Sequence, residues 1–579
     1  MLRVSRQLPR PIRWVVPAAA IVVASSTGRA QQAATQPVTS RNGMVITTSA
    51  PASDVGAAIL KKGGNAVDAA VATAFALAVT HPSAGNIGGG GFMVIRLADG
   101  SSTTIDYRER APMRSTQTMY LDSTGKIARQ LTATGYLAPG VPGTVRGLAL
   151  AHSKYGKLAW KDDLMPAVEL AEKGFVLSPA LTRSLNRELD SSMAKYPASV
   201  AAYGKPGGGA WVAGDTIVLR DLGRTLRAIA TNGPNAFYTG WIADSIAATM
   251  ARHGGLISKH DLAAYQAKMR TPLHGTYRGY DLITMPPPTS GGVTMLEMLN
   301  ILERFDLAKL GDMSPAALHV EIEAMRRGYL DRARYLGDPD FVKMPIARLT
   351  SKTYAKSLAA SIDPSHASSS MELGHDIVTQ VASTEDDETT QFSIVDRAGN
   401  AVSNTFTLEG GFGSHVVVDG AGFILNNEMG DFNKKPGETN LTGDIGTAAN
   451  RIAPGKRMLS SMSPTIVTKN GKLFMVTGSP GGRTIINTVM EIVLGVIDFG
   501  LDARQAVDAP RFHHQWLPDT VTFERNAIPD SVAARLRAMG HAVKFGRAAQ
   551  GDGHTIVVRD GVAAGANDHR SSDSKVSVP

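Results

Sequence analysis

The sequence predicts an α/β layered fold, with stacked sheets covered by helices on both faces. Three observations carry this. At 579 residues and 43% hydrophobic content the chain can bury a large core. Residues from about 140 to 370 read mainly as helices with glycine stops, and residues beyond 389 change to strands. Strands set between helix groups need helical cover.

The first thirty residues stand apart. Arg3, Arg6, Arg10 and Arg13 precede an apolar stretch, 14–24, and small residues lead to Gly28-Arg29-Ala30. This is the pattern of an export signal cut after Ala30, which predicts a periplasmic or secreted protein; retention as an uncleaved anchor is the alternative. Residues 1–30 hold five arginines and no acids, so the formal +9 falls to about +4 beyond them. The remaining charges are dispersed, which excludes a nucleic-acid surface. With no cysteine, disulfides, thiolate metal sites and a cysteine nucleophile are excluded.

In chain order, 43–49 is a β-rich run, and Ser53 is expected to cap a helix ended by Gly63-Gly64. The next helix, 65–80, is apolar around its whole circumference and belongs inside the fold. It leads into Gly88-Gly89-Gly90-Gly91, glycines that precede a strand, 92–97, rather than a helix. Close backbone packing is therefore expected there, not a phosphate loop. Asp99-Gly100 turns a hairpin whose second strand, 103–108, ends at Arg108. An arginine there can grip a carboxylate with two parallel donors or form a surface ion pair with Asp106 or Glu109.

Helices are expected at 144–155, 164–173, 218–231, 236–253, 293–305 and 316–335, with 285–292 a stiff turn. No metal-ligand spacing appears, and no Gly-x-Ser-x-Gly. The polar, serine-rich stretch 363–388 reads as an exposed connection where a cut would spare the core. Strands follow at 391–395, 401–408, 423–426, 465–468 and 473–477, then helices at 484–499, 503–509 and 531–539. A last hairpin turns at Asp560-Gly561, and 571–579 reads as disordered. His513 and His514 suit packing or hydrogen bonding better than metal binding.

Glu388-Thr389-Thr390 lies at the change of texture. By itself Thr-Thr is the start of a strand. A cut before Thr389, however, would free an α-amine with a pKa near ~7.7, able to take that residue's own hydroxyl proton.

Several phrases together resemble the γ-glutamyltransferase (γ-glutamyltranspeptidase) family of the N-terminal-nucleophile hydrolases. They are Asp106-Tyr107-Arg108-Glu109-Arg110-Ala111-Pro112, Leu425-Asn426-Asn427-Glu428-Met429-Gly430-Asp431-Phe432, Arg457-Met458-Leu459-Ser460-Ser461-Met462-Ser463-Pro464, Gly478-Ser479-Pro480-Gly481-Gly482 and Ala509-Pro510-Arg511-Phe512-His513-His514-Gln515-Trp516. The resemblance implies a four-layer αββα sandwich made as one chain. That chain would cut itself between Glu388 and Thr389 into a large subunit, 31–388, and a strand-rich small subunit, 389–579, which stay together. It further implies Thr389 as nucleophile, Thr407 as its hydrogen-bond partner and the N–H groups of Gly481 and Gly482 as oxyanion hole. Arg108, Ser460 and Ser461 would hold a donor's α-carboxylate, and Glu428 and Asp431 its α-ammonium. The expected donor is glutathione or another γ-glutamyl compound, the acceptor water, an amino acid or a dipeptide, with no cofactor and no metal.

Three positions depart from the family pattern. Gln391 stands where histidine is common, Gly430 where an acid is common, and Glu409 where an asparagine contacts substrate. Glu409 adds a third carboxylate beside the ammonium site. The stretch 434–452 resembles a loop that covers the pocket in some members, favouring small peptidic donors. The alternatives are a glutaryl or cephalosporin-type acylase on the same scaffold and a non-cleaving binding protein.

Overall fold

The computed structural model describes residues 1–2, 36–378, 389–547 and 549–579. The expected leader, Glu388 and the acidic run before it lie outside the described residues. Two seven-stranded antiparallel sheets carry the fold. The first runs, edge to edge, Lys575–Ser577, Gly43–Thr47, Thr390–Asp396, Ala401–Thr407, Gly90–Arg96, Ser102–Asp106 and Lys268–Arg270. The second runs Val38–Ser40, Val562–Asn567, His554–Arg559, Lys472–Thr477, Thr465–Lys469, Tyr280–Thr284 and Leu273–Tyr277. Each sheet takes strands from both sides of the interval between residues 378 and 389.

Alternation along the strands builds the layers. Val45, Met93, Ile95 and Ile105 of the first sheet face the helices Ala66–Thr80, Thr144–Tyr155 and Trp160–Lys173. Met44, Ile46, Phe92 and Val94, on the opposite face, join Ile466, Val476 and Ile556 of the second sheet. The helices Gly291–Leu302, Pro315–Tyr335 and Ile485–Ile497 pack into that second core and cover the far side. The result is the αββα sandwich.

The Ala66–Thr80 helix is buried at every position, as its apolar circumference predicts. Asn65 accepts from the N–H groups of Val67 and Asp68, and Asp68 accepts from Asn65 N at 2.8 Å. This reciprocal cap contributes about 1 kcal/mol. The preceding helix is Ala50–Lys62 with Ser49 at its cap position; Ser53, the expected cap, lies inside it and donates to Lys575 O at 2.9 Å. Pro51 in the first turn moved that start, because a missing N–H costs nothing there.

Several expectations need correction. The hairpin Leu273–Tyr277 and Tyr280–Thr284 interrupts the helical region. The expected helix 236–253 is two, Asn235–Tyr238 and Trp241–His253, separated at Gly240. Residues 423–426 make only the bridge Val417↔Ile424. Far from being disordered, the end of the chain forms Lys575–Ser577, which pairs with Gly43–Thr47 through backbone bonds that need no apolar pattern. Residues 363–378 are packed rather than exposed in part: Ser370 is buried, and its carbonyl accepts Trp516 Nε1 at 2.8 Å.

Glu323, on the Pro315–Tyr335 helix, anchors that segment. It accepts from Arg326 Nε at 3.1 Å, Arg327 Nη1 at 2.5 Å and Ser368 N at 3.0 Å. Burial would raise its pKa, but the two guanidiniums win and draw it down to about 2. A carboxylate so lowered adds stability above the ordinary range near 4.5 and loses it as pH falls toward 2. Glu323→Gln is expected to cost about 3 kcal/mol at neutral pH and to flatten the acid limb of stability, read by urea unfolding across pH.

Candidate active site

Thr389 enters the site from the middle of the first sheet. Thr390 pairs with Phe406 and Gln391 with Thr405, so one further step along the register sets Thr389 opposite Thr407. Both line a narrow cleft together with Arg108, Glu409, Glu428, Asp431, Ser460, Ser461 and Gly482. These residues come from segments far apart in the chain, and Gly481 adjoins through Gly482.

Asn86, unassigned by sequence reasoning, fixes the Thr407 side. Its Nδ2 donates to Thr407 O at 2.8 Å, while its Oδ1 accepts from Gly89 N at 3.0 Å and Thr144 Oγ1 at 2.7 Å. A Cβ on Gly89 would sit 2.1 Å from Thr407 O, so the expected close backbone approach is real and only glycine permits it. Thr407 Oγ1 accepts from Glu409 N at 2.8 Å, which holds Glu409 in a left-handed turn at φ 81°.

Arg108 is fully buried, not a surface ion pair. Its guanidinium donates to Glu428 and Asp431, its Nε reaches Met458 O at 3.3 Å, and Glu109 Oε2 lies 3.6 Å from Nη1. Burial alone would weaken the cation, but Glu428, Asp431, Glu109 and Glu409 together hold it protonated. One oxygen from each of Glu409, Glu428 and Asp431 falls within 4.8 Å of the others. Such crowding has a price in protonation. Burial first, and Asp431 after it, lift Glu428 to about 7 against the pull of Arg108. Glu109 is pushed well above the carboxylate range by burial and by Glu428.

The remaining walls are set by backbone bonds. Asn426, also unassigned by sequence reasoning, accepts from Glu428 N at 3.1 Å and donates to Gly88 O at 2.7 Å, fixing the Glu428–Asp431 turn. Arg457 Nε sits 3.2 Å from Asp106 Oδ1, and Ser460 N donates to Pro288 O at 3.0 Å, so the Ser460-Ser461 loop rests on the proline-rich turn. Arg332, on the Pro315–Tyr335 helix, donates to Ser461 Oγ at 3.1 Å and Ser290 Oγ at 2.8 Å. Nothing local in the sequence marks it. Gly481 and Gly482 have φ of 128° and 52° and lead through a short turn, Gly482–Thr484, into the helix Ile485–Ile497. Their positive φ turns backbone N–H groups where a side chain would strain, and the helix start favours negative charge.

Gln391 is buried beside the cleft's strand, accepting from Thr405 Oγ1 at 2.5 Å. His513 meets Asn487 at 2.8 Å, and burial pushes His514 down to about 4, so both serve hydrogen bonding and packing. Lys434, Lys435 and Ile445 of the 434–452 stretch line a second cleft that shares Asp431 and Arg483 with the first.

Two antiparallel sheets between helical layers, with a threonine at the head of a central strand in a charge-lined cleft, define the N-terminal-nucleophile hydrolase class. The gamma-glutamyltranspeptidase family model matches residues 52–578, and the chain belongs to that family. The glutathione hydrolase proenzyme of Escherichia coli (strain K12) is 48% identical over 538 residues, 93% of this chain and 92% of that one. A cephalosporin acylase from Bacillus halodurans superposes with TM-score 0.83 at 29% identity, over 96% of this chain and 99% of that one. Helicobacter pylori gamma-glutamyltranspeptidase is 44% identical with TM-score 0.54, over 55% of this chain and 91% of that one.

Gly89→Ala is expected to push Thr407 off its register, costing about 1–3 kcal/mol and lowering turnover. Thermal unfolding and initial rates of the variant, measured side by side, check it.

Proposed function

We propose that this chain is an exported γ-glutamyltransferase and glutathione hydrolase that matures by cutting itself between Glu388 and Thr389. The observation that carries the reading is the cleft that gathers Thr389 with Arg108 and three carboxylates. It offers a hydroxyl at one end and, at the other, charges complementary to an α-amino acid.

In maturation the Thr389 hydroxyl adds to the Glu388 carbonyl. The C–N bond breaks and the hydroxyl proton passes to the departing nitrogen, so the ester forms as the Thr389 amine is freed; water then opens the ester to the Glu388 carboxylate and the Thr389 hydroxyl. Both sheets draw strands from residues 31–388 and 389–579, so the pieces remain one body. In turnover the amine takes the Thr389 hydroxyl proton as the oxygen attacks the γ-amide carbonyl. The N–H groups of Gly481 and Gly482 stabilise the oxyanion, each donor contributing about 3 kcal/mol. The amine portion leaves with that proton, and water or an amino group then takes the γ-glutamyl unit from the ester. Arg108, Ser460 and Ser461 hold the donor's α-carboxylate, and Glu428, Asp431 and Glu409 its ammonium. The donor's two charges replace the internal pairing of Arg108 with Glu428 and Asp431.

The acylase reading draws on the likeness to the Bacillus halodurans protein. Three clustered carboxylates weigh against it, because an acyl group without an amine would draw on Arg108 with its carboxylate and bring no cation in return. Faster release of p-nitroaniline from the glutaryl than from the γ-glutamyl anilide would reverse this choice, and glycylglycine added to the second assay measures transfer.

Thr389→Ala is expected to run as one uncut band on a denaturing gel with no activity. A cut Thr389→Ala protein sinks the nucleophile assignment, and an uncut wild type favours the binding-protein alternative. Glu428 gains its charge as pH rises through about 7, so the donor KM should fall across that range. Steady-state rates with KM and kcat fitted separately at each pH test this, since the Thr389 amine acts on kcat.

A further inference from the structure

The helical layer on the outer face of the first sheet holds a second cluster of charged groups that the proposed reaction leaves unused. Asp68 of the helix Ala66–Thr80, His152 of Thr144–Tyr155 and Asp163 of Trp160–Lys173 each place one ligand atom within 4.8 Å of the other two. Asp163 is the anomaly. Its side chain has no exposed surface, and neither oxygen meets an N–H or hydroxyl donor among the described residues; the group in hydrogen-bond reach is another carboxylate, Asp68. An orphaned buried carboxylate costs several kcal/mol unless a proton or a cation meets it.

The surrounding geometry suits a cation. His152 Nε2 is 3.6 Å from Asp163 Oδ2 and 3.0 Å from the Leu158 carbonyl oxygen. Ligands about 2.0–2.2 Å from a tetrahedral zinc ion lie about 3.3–3.6 Å from one another, a range that the His152–Asp163 spacing meets, while the shorter Leu158 contact is a hydrogen bond that His152 donates. Asp68 is held in place by Lys157 N at 2.8 Å and Leu158 N at 3.1 Å, both on Oδ1, and by Asn65 N on Oδ2. Oδ1 spends both lone pairs on those two N–H groups, and Oδ2, with one donor, keeps a second lone pair for an ion. His152 is the exposed edge, at 14%, and gives an entry path. The other charges near Asp163 are Lys62 and Asp162, which pair with each other at 3.2 Å outside the cluster.

We propose that Asp68, His152 and Asp163 form a structural site for a divalent cation of the zinc type, which staples three helices of the outer layer. Two carboxylates and an imidazole favour zinc or manganese over calcium. Sequence spacing gave no hint because the ligands come from three helices.

The test uses the untagged full chain, stripped with chelator and dialysed against zinc, manganese or calcium chloride, with bound metal counted by mass spectrometry. Wild type should retain one equivalent of zinc or manganese and melt at a higher temperature with it. Asp163→Asn and His152→Gln, both near-isosteric, should bind at least tenfold more weakly and lose the thermal shift. Their γ-glutamyl-p-nitroanilide turnover should stay at the wild-type level. No retention by wild type overturns the site and leaves Asp68 and Asp163 sharing a proton. Equal retention by both variants, or preference for calcium, overturns it by placing the ion elsewhere.

Discussion

A guanidinium with no exposed surface sits among four carboxylates, and the rest of the cleft is arranged around that fact. Arg108 faces Glu109, Glu409, Glu428 and Asp431. Buried charge is tolerated only when matched and hydrogen-bonded. The match here joins the end of the strand Ser102–Asp106 to the Glu428–Asp431 turn and, through Met458 O, to the loop that carries Ser460 and Ser461. The cleft thus holds an internal imitation of a zwitterion. In the proposed reading a donor with both charges replaces it at little electrostatic cost, whereas one with a single charge leaves a buried partner unmatched.

How much of this was legible in the sequence varies with the physics. The Ala66–Thr80 helix announced itself because an apolar circumference has one solution, and Asn65 marked its start. The hairpins at Asp99-Gly100 and Asp560-Gly561 were readable because their turns demand particular residues. The hairpin Leu273–Tyr277 and Tyr280–Thr284 was missed because its first strand lies at a sheet edge with an alternating, half-exposed pattern that carries few apolar residues. Lys575–Ser577 was missed for a related reason, since backbone pairing leaves no trace in side-chain chemistry.

In the site, composition and periodicity alone left Thr389 a strand start and Arg108 a surface ion pair, and only the family resemblance picked them out. The cleft does bring Thr389, Thr407, Glu409 and the charged set together. Asn86, Asn426 and Arg332 escaped notice because a polar residue that braces a loop has no period and no motif of its own. Asn426 lies inside a recognised phrase and Asn86 just ahead of the glycine run 88–91, so asking which backbone groups those stretches must satisfy would have found them.

The interleaving of the sheets limits what two separate pieces of this chain could do. Thr390–Asp396 lies between Gly43–Thr47 and Ala401–Thr407, while Thr465–Lys469 lies between Tyr280–Thr284 and Lys472–Thr477. A piece from one molecule cannot trade places with its counterpart in another unless whole ladders of backbone bonds are opened. Molecules divided between residues 378 and 389 would therefore keep their original partners, and a mixture of two variants would remain a mixture rather than scramble into hybrids.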